Sequence, residues 1–232
     1  MYLMPNVRIA EIFHSIQGEG EFAGTPSVFV RTTGCNLRCW FCDTPYTSIR
    51  PEGSRRDWRE VLRAVLEFDC QHVVLTGGEP LLQPEILPLA HALREERRIV
   101  TIETAGTIYR PAEVDLMSIS PKLSNSTPRL VNRWLERHER DRDRPDALRQ
   151  LMRQARYQLK FVVDQPIDID EITSYLERFP EVVADRVWLM PQGITREELS
   201  EKTEWLKPAT ERLGFRFCPR RHIELFGSVR GT

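Results

Sequence analysis

Long apolar runs are missing from this chain of 232 residues, and nowhere do enough consecutive hydrophobic residues occur to cross a bilayer, which takes about 20. Met1 to Ala10 also lacks the basic-then-apolar pattern and small-residue cleavage site of a secretory leader, so a cytoplasmic protein is expected. A surplus of charge of one sign is absent as well. Lys and Arg number 33 against 34 Asp and Glu, so no global positive field advertises nucleic acid or a membrane surface, and small-molecule chemistry is the expectation. An even, spread cysteine set is missing too. There are five, three of them within eight residues, which excludes a secreted disulfide scaffold and points to metal ligation. No internal repeat, low-complexity tract or clear linker breaks the chain, so one domain over 1–232 is expected.

What is present is alternation. From Trp58, the residues Val61, Leu62, Val65 and Leu66 fall on one helical face, and His72 to Leu75 follows as a short buried strand. Ile86 to Arg97 reads as helix, Arg98 to Glu103 and Leu116 to Ser120 as strands, Ala147 to Arg156 as helix, and Gln158 to Val163 as strand. Ile169 to Phe179 is helical and Arg186 to Met190 a strand. Arg196 to Leu213 is a helix that Pro208 bends or breaks, and Phe215 to Cys218 is a last strand. With Val28 to Thr32 as the first strand, about six strand-helix units argue an α/β fold, a partial (β/α)6-type barrel. The densely charged stretch 136–146 has mixed signs and no central apolar stripe, so it reads as a solvated surface insertion.

Immediately after the first strand, Cys35, Cys39 and Cys42 stand at C-x3-C-x2-C spacing. Three ligands are one too few for a closed site, so a cluster held by them leaves one iron open, which suggests catalysis. A zinc loop completed by a distant histidine or by Cys70 is the structural alternative. Cys70 and Cys218 otherwise read as buried small hydrophobes. With an aromatic before the third cysteine, Trp40-Phe41-Cys42, the loop resembles the signature of the radical S-adenosylmethionine superfamily. That resemblance implies a 4Fe-4S cluster whose open iron binds the amino and carboxylate groups of S-adenosylmethionine, with reductive cleavage to a 5'-deoxyadenosyl radical.

Other motifs follow the strands. Thr76-Gly77-Gly78-Glu79-Pro80 ends the second, and its glycines let backbone approach a ligand that a Cβ would exclude. Glu103-Thr104-Ala105 ends the third, Ser120-Pro121-Lys122 the fourth and Met190-Pro191-Gln192 the sixth. In parallel α/β sheets those ends form one face, where loops build the active site. The superfamily resemblance implies cofactor contacts from Phe41, Asp43, Gly78 and the Glu79 carboxylate, and from Glu103, Ser120, Pro121, Lys122 and Gln192.

The segment Ser15-Ile16-Gln17-Gly18-Glu19-Gly20, then Pro26-Ser27-Val28-Phe29-Val30-Arg31, then the cysteine loop and Thr76 to Gln83, resembles the 7-carboxy-7-deazaguanine synthase family in order and content. The resemblance implies a lyase that rearranges 6-carboxy-5,6,7,8-tetrahydropterin to 7-carboxy-7-deazaguanine with loss of ammonia, on the way to queuosine and other 7-deazapurines. It implies hydrogen abstraction from C6, ring contraction, return of the hydrogen and regeneration of the cofactor. A reduced pterin asks for amide or carboxylate partners at its ring and a cation at its acid. Gln17 and Glu19 are the candidates for the first and Arg31 for the second, with Ile16, Gly18, Thr76 and His222 as further contacts. Thr44 matches the position where the family holds Mg2+, a cation that takes hard oxygen ligands. An electron donor such as flavodoxin or ferredoxin and a homodimer are implied as well, while nucleic acid and membrane partners are not. A glycyl-radical-enzyme activase would share the cysteine loop but not the Ser15 to Gly20 segment. A non-catalytic iron-sulfur protein would bring a fourth protein ligand.

Overall fold

Strand residues in this chain alternate between hydrocarbon and functional side chains, and the sheet keeps the two sets on opposite faces. In the computed structural model, which describes residues 5–129 and 133–232, the strands are β1 (Asn6–Ile16), β2 (Pro26–Thr32), β3 (Ser54–Asp57), β4 (His72–Gly77), β5 (Ile99–Thr104), β6 (Leu116–Ile119), β7 (Tyr157–Val163), β8 (Val187–Pro191) and β9 (Arg216–Phe217). The helices are α1 (Pro45–Ser48), α2 (Trp58–Leu66), α3 (Ile86–Glu95), α4 (Arg133–Arg142), α5 (Pro145–Gln154), α6 (Ile167–Leu176), α7 (Arg196–Leu213) and α8 (Arg221–Phe226). One sheet of order β3-β1-β2-β4-β5-β6-β7-β8-β9 contains all nine described strands and does not close into a barrel.

From β2 to β9 every pairing is parallel. This is the partial barrel that the alternation predicts, with β9 as a short seventh member. β1 and β3, which the alternation does not reveal, add to the β2 edge as antiparallel strands. Val28 and Val30 of β2, Met117 and Ile119 of β6, and Leu159, Phe161 and Val163 of β7 belong to the hydrocarbon core together with helix residues such as Val61, Leu89, Leu151, Ile172 and Leu206. The alternate residues Phe29 and Arg31, Ser118, and Lys160 and Val162 line a cavity on the opposite face. Period two thus assigns one side of each strand to stability and the other to chemistry.

Two sequence expectations gain detail from the structure. α7 runs through Pro208 without a break: losing one backbone donor is offset by a capping box of Thr195 with Glu198, a Gly214 C-cap in the left-handed region, and burial of Leu199, Leu206 and Ala209. The charged stretch 136–146, expected as a solvated surface insertion, is helical and forms the body of α4 and the start of α5. α4 has no apolar stripe, yet it buries His138 completely.

Candidate active site

The carboxyl ends of β2, β4, β5, β6, β7 and β8 open on one cavity of about 470 Å³, a volume typical of small-molecule sites. Cys35, Cys39 and Cys42 all line it, as do Phe41, Asp43 and Thr44, and none of the cysteines forms a disulfide. The Leu37 amide donates to Cys35 Sγ at 3.4 Å, and Cys42 Sγ lies 3.3 Å from Ser48 Oγ. Burial pushes the Cys35 thiol up to about 12 and the Cys39 thiol up to about 11. Among the described residues, no group of three His, Cys, Asp or Glu side chains closes around a single-ion position. Cys70, one candidate to complete a zinc loop, has its Sγ 3.3 Å from Pro26 O and 3.5 Å from His72 O. Three soft thiols lining one cavity fit an iron-sulfur cluster, which distributes its ligands over separate iron atoms.

The glycines of the β4 loop serve a close approach of backbone to backbone. Gly77 has φ +120°, and a Cβ on Gly78 would stand 2.2 Å from the Gly34 carbonyl oxygen. That contact lets Gly78 N donate to Thr32 O at 3.1 Å and Glu79 N to Gly34 O at 2.9 Å, pinning the loop beside the first cysteine. Gly78 lines the cavity, but Glu79 and Pro121 do not. Glu79 is fully buried. Its carboxylate accepts from Thr104 Oγ1 at 2.8 Å, Ala105 N at 2.9 Å and Leu81 N at 3.1 Å. Burial holds its pKa above the usual carboxylate range. Through its hydrogen bonds Glu79 ties the β4 loop to the end of β5.

The polar floor of the cavity is a buried network. Glu103 accepts from Gln17 Nε2 at 3.1 Å and Thr76 Oγ1 at 2.7 Å, and Lys160 Nζ stands 3.9 Å away. Lys160 bonds Glu19, whose other oxygen pairs with Arg220 Nε at 3.2 Å. Arg220 continues to Asp43 at 2.5 Å and to the Gly193 carbonyl at 2.6 Å. Burial alone would raise the Glu19 carboxyl, but Lys160 and Arg220 override it and hold Glu19 well below the usual carboxylate range. Burial would likewise lower Lys160, and the carboxylates of Glu19 and Glu103 hold it above the usual lysine range. Glu19 and Lys160 are thus an ion pair across the neutral range. His222 sits over Gly18, where a Cβ would be 2.0 Å from its Nδ1. Its Nε2 is 4.0 Å from Glu19, and burial lowers its pKa.

At the β1 side Arg31 Nε donates to Glu11 at 2.7 Å, and Tyr46 Oη donates to the same oxygen at 2.7 Å. The segment after α8 folds back along the cavity, with Ser228, Val229, Arg230 and Thr232 among its lining residues. Arg230 anchors it on Glu11 at 3.1 Å and Glu52 at 2.8 Å. Opposite, Lys122 Nζ donates to Ser120 Oγ at 2.6 Å, and Gln192 Oε1 accepts from Lys202 at 2.8 Å. Ile16, Ser120, Lys122 and Gln192 all line the cavity.

Comparison with known proteins agrees with this geometry. Residues 29–160 match the Radical SAM superfamily. The 7-carboxy-7-deazaguanine synthase of Rhodopirellula baltica is 47% identical over 97% of this chain and 88% of its own length. That of Halobacterium salinarum is 40% identical over 98% and 93%. The chain belongs to the 7-carboxy-7-deazaguanine synthase family. Its fold matches the crystal structure of QueE from Escherichia coli with a TM-score of 0.68 at 24% identity, over 92% of this chain and 93% of that one. Membership in this radical SAM family brings a 4Fe-4S cluster and S-adenosylmethionine as cofactors. No helix among the described residues is long and apolar enough to cross a membrane.

Sequence reasoning missed Lys160, Arg220, Glu11 and Tyr46. For Lys160 a signal existed: a lone cation at the alternate position of Leu159-Lys160-Phe161 falls on the site face of a strand. Arg220 and Tyr46 reach the cavity, and Glu11 reaches Arg31, by long-range folding that local pattern does not encode.

Proposed function

We propose that this chain converts 6-carboxy-5,6,7,8-tetrahydropterin to 7-carboxy-7-deazaguanine with loss of ammonia. The observation that supports the reading is that one cavity holds both the three thiols and the buried Gln17–Glu19–Glu103–Lys160 network. When bound, the cluster and S-adenosylmethionine supply the one-electron cleavage that starts the reaction. The chain's own groups do the rest of the positioning. Gln17 and Thr76 orient Glu103, whose carboxylate is suited to accept from the amino and ring N–H edge of a pterin. Because Glu103 bonds residues of the substrate set, it is assigned to the pterin here and not to the cofactor. Arg31, oriented by Glu11, is the cation for the substrate carboxylate. Glu19, held as a carboxylate by Lys160 and Arg220, and His222 above Gly18 complete that side.

On the cofactor side this reading retains Phe41, Asp43, Gly78, Ser120, Lys122 and Gln192. Thr44 is the hard oxygen offered to Mg2+; its hydroxyl accepts from Thr47 Oγ1 at 3.3 Å. A small redox protein such as flavodoxin or ferredoxin and a homodimeric assembly belong to the reading through the family resemblance, and a cytoplasmic setting through the sequence expectation. Anaerobic calorimetric titration of the loaded enzyme tests the substrate assignment. The carboxylated pterin is expected to bind at least 10-fold more tightly than tetrahydropterin lacking the acid, about 1.4 kcal/mol. Equal affinities would remove Arg31 from its role.

A further inference from the structure

α4 poses a problem that the reaction does not solve. It is a helix of ten residues, most of them charged, and the one residue it buries is His138. An imidazole is a poor choice for filling a core unless both ring nitrogens are used. Both are. Arg38 N donates to Nδ1 at 3.1 Å, and Nε2 lies 2.9 Å from Ser126 Oγ. A backbone amide can only donate, so Nδ1 is the acceptor and the ring proton resides on Nε2. Ser126 Oγ spends its own proton on Leu123 O at 2.6 Å and so receives the Nε2 proton. Directions along the whole relay are thereby fixed.

The location of this relay gives it meaning. Arg38 and Trp40 flank Cys39, the middle thiol of the loop. His138 holds the Arg38 amide, and the Ser126 carbonyl holds the Trp40 amide at 3.3 Å. The Trp40 indole N–H adds a bond to Asn125 O at 2.7 Å. The Arg38 guanidinium folds over its own loop onto Cys35 O at 2.8 Å and Leu37 O at 2.6 Å, and stacks 3.9 Å from the Trp134 ring of α4. The backbone on both sides of Cys39 is therefore clamped to the 123–126 segment and to α4.

We propose that His138 is a positioning residue for the cluster-binding loop, acting through the Arg38 amide to hold Cys39 in the arrangement that retains iron. The charged helix is then a brace for the cofactor loop and not a solvated ornament. The proposal rests on the reading that Cys35, Cys39 and Cys42 carry the cluster.

The test compares variants of the full chain after anaerobic reconstitution, reading iron and sulfide content, the rate of iron release to a coloured ferrous chelator, the electron paramagnetic resonance of the reduced cluster with and without S-adenosylmethionine, and the melting temperature before loading. His138→Phe fills the space but offers no acceptor. His138→Asn keeps an oxygen near the Nδ1 position. Losing one or two such hydrogen bonds is expected to speed iron release by roughly 5- to 30-fold in His138→Phe, with a broadened signal on cofactor addition. His138→Asn is expected to return the rate to within about 2-fold of the unmodified chain, since one bond of the pair survives. Ser126→Ala, which removes only the outer bond, is expected to fall between them, and it carries the test if His138→Phe does not fold. The idea is overturned if His138→Phe or Ser126→Ala releases iron at the unmodified rate. It is also overturned if His138→Asn and His138→Phe release it equally fast in proportion to lowered melting temperature, which a purely packing role predicts. An unmodified chain that takes up no iron overturns the cluster reading beneath it and is distinguished by that control alone.

Discussion

Replacing Glu19 by Gln removes one charge from the most buried ionic network in the cavity while leaving the shape of the side chain. In the native chain Glu19 serves two cations: Lys160, whose side chain is 6% exposed, and Arg220, whose side chain is 7% exposed. After the change Arg220 keeps Asp43 and the Gly193 carbonyl. Among the described residues, the one carboxylate that Lys160 keeps is Glu103, 3.9 Å away. Breaking a buried pair on one side leaves an uncompensated charge and costs about 3–5 kcal/mol, and the amide oxygen still accepting from Lys160 argues for the lower end. At about 2–4 °C per kcal/mol for a chain of this size, the melting temperature should fall by roughly 6–12 °C. Adding Lys160→Met removes the stranded charge, so the double variant should recover at least half of that loss. The assay is anaerobic thermal denaturation monitored by circular dichroism, with S-adenosylmethionine binding measured alongside and expected to persist. A fall of less than 2 °C in Glu19→Gln, or a double variant less stable than the single one, would refute the reasoning.

Arg31→Ala should preserve cluster loading and uncoupled cofactor cleavage, yet lower kcat/KM for the carboxylated pterin by roughly 100-fold, the loss expected for a buried charged partner; equal loss of cofactor cleavage would count against its role. Arg230→Ala frees the segment after α8 from Glu11 and Glu52 and should raise KM for the pterin more than it lowers kcat, which steady-state kinetics would resolve. His72 lies between Ser27 Oγ at 2.6 Å and Thr101 Oγ1 at 2.9 Å, and burial lowers its pKa to about 4. The unfolded chain takes up that proton below the ordinary histidine value of about 6.5, so the stability His72 contributes is complete above that pH. It falls at up to about 1.4 kcal/mol per pH unit toward pH 4. Urea midpoints at pH 7 and 5 should therefore differ less in His72→Gln than in the native chain.

Repeated strand-helix periodicity made the parallel core legible, because strands buried on both faces and helices with one apolar stripe leave unmistakable local patterns. The antiparallel strands added beside β2 were not legible: β3, Ser54-Arg55-Arg56-Asp57, has no hydrophobic signal and exists through pairing with β1. Short motifs placed the cysteine loop, Gln17, Glu19, Thr76 and Glu103 around one cavity, since the carboxyl ends of parallel strands share a face. The same motif logic gives no sign of the hydrogen bonds by which Glu79 joins the β4 loop to the end of β5. A carboxylate after two glycines looks the same in sequence whether it faces a ligand or ties two loops together. His138 was hidden by its neighbours, as a charged helix without an apolar stripe gives no sign that one imidazole is buried.

The most direct test of the account is turnover. The chain is reconstituted anaerobically with iron and sulfide, reduced with dithionite, supplied with S-adenosylmethionine and Mg2+, and 6-carboxytetrahydropterin is followed by mass spectrometry. The account predicts 7-carboxy-7-deazaguanine and ammonia, with S-adenosylmethionine regenerated and not consumed in proportion to product. Formation of 5'-deoxyadenosine with the pterin untouched would contradict the substrate assignment, and a loaded cluster that yields neither product would contradict the catalytic reading of the site.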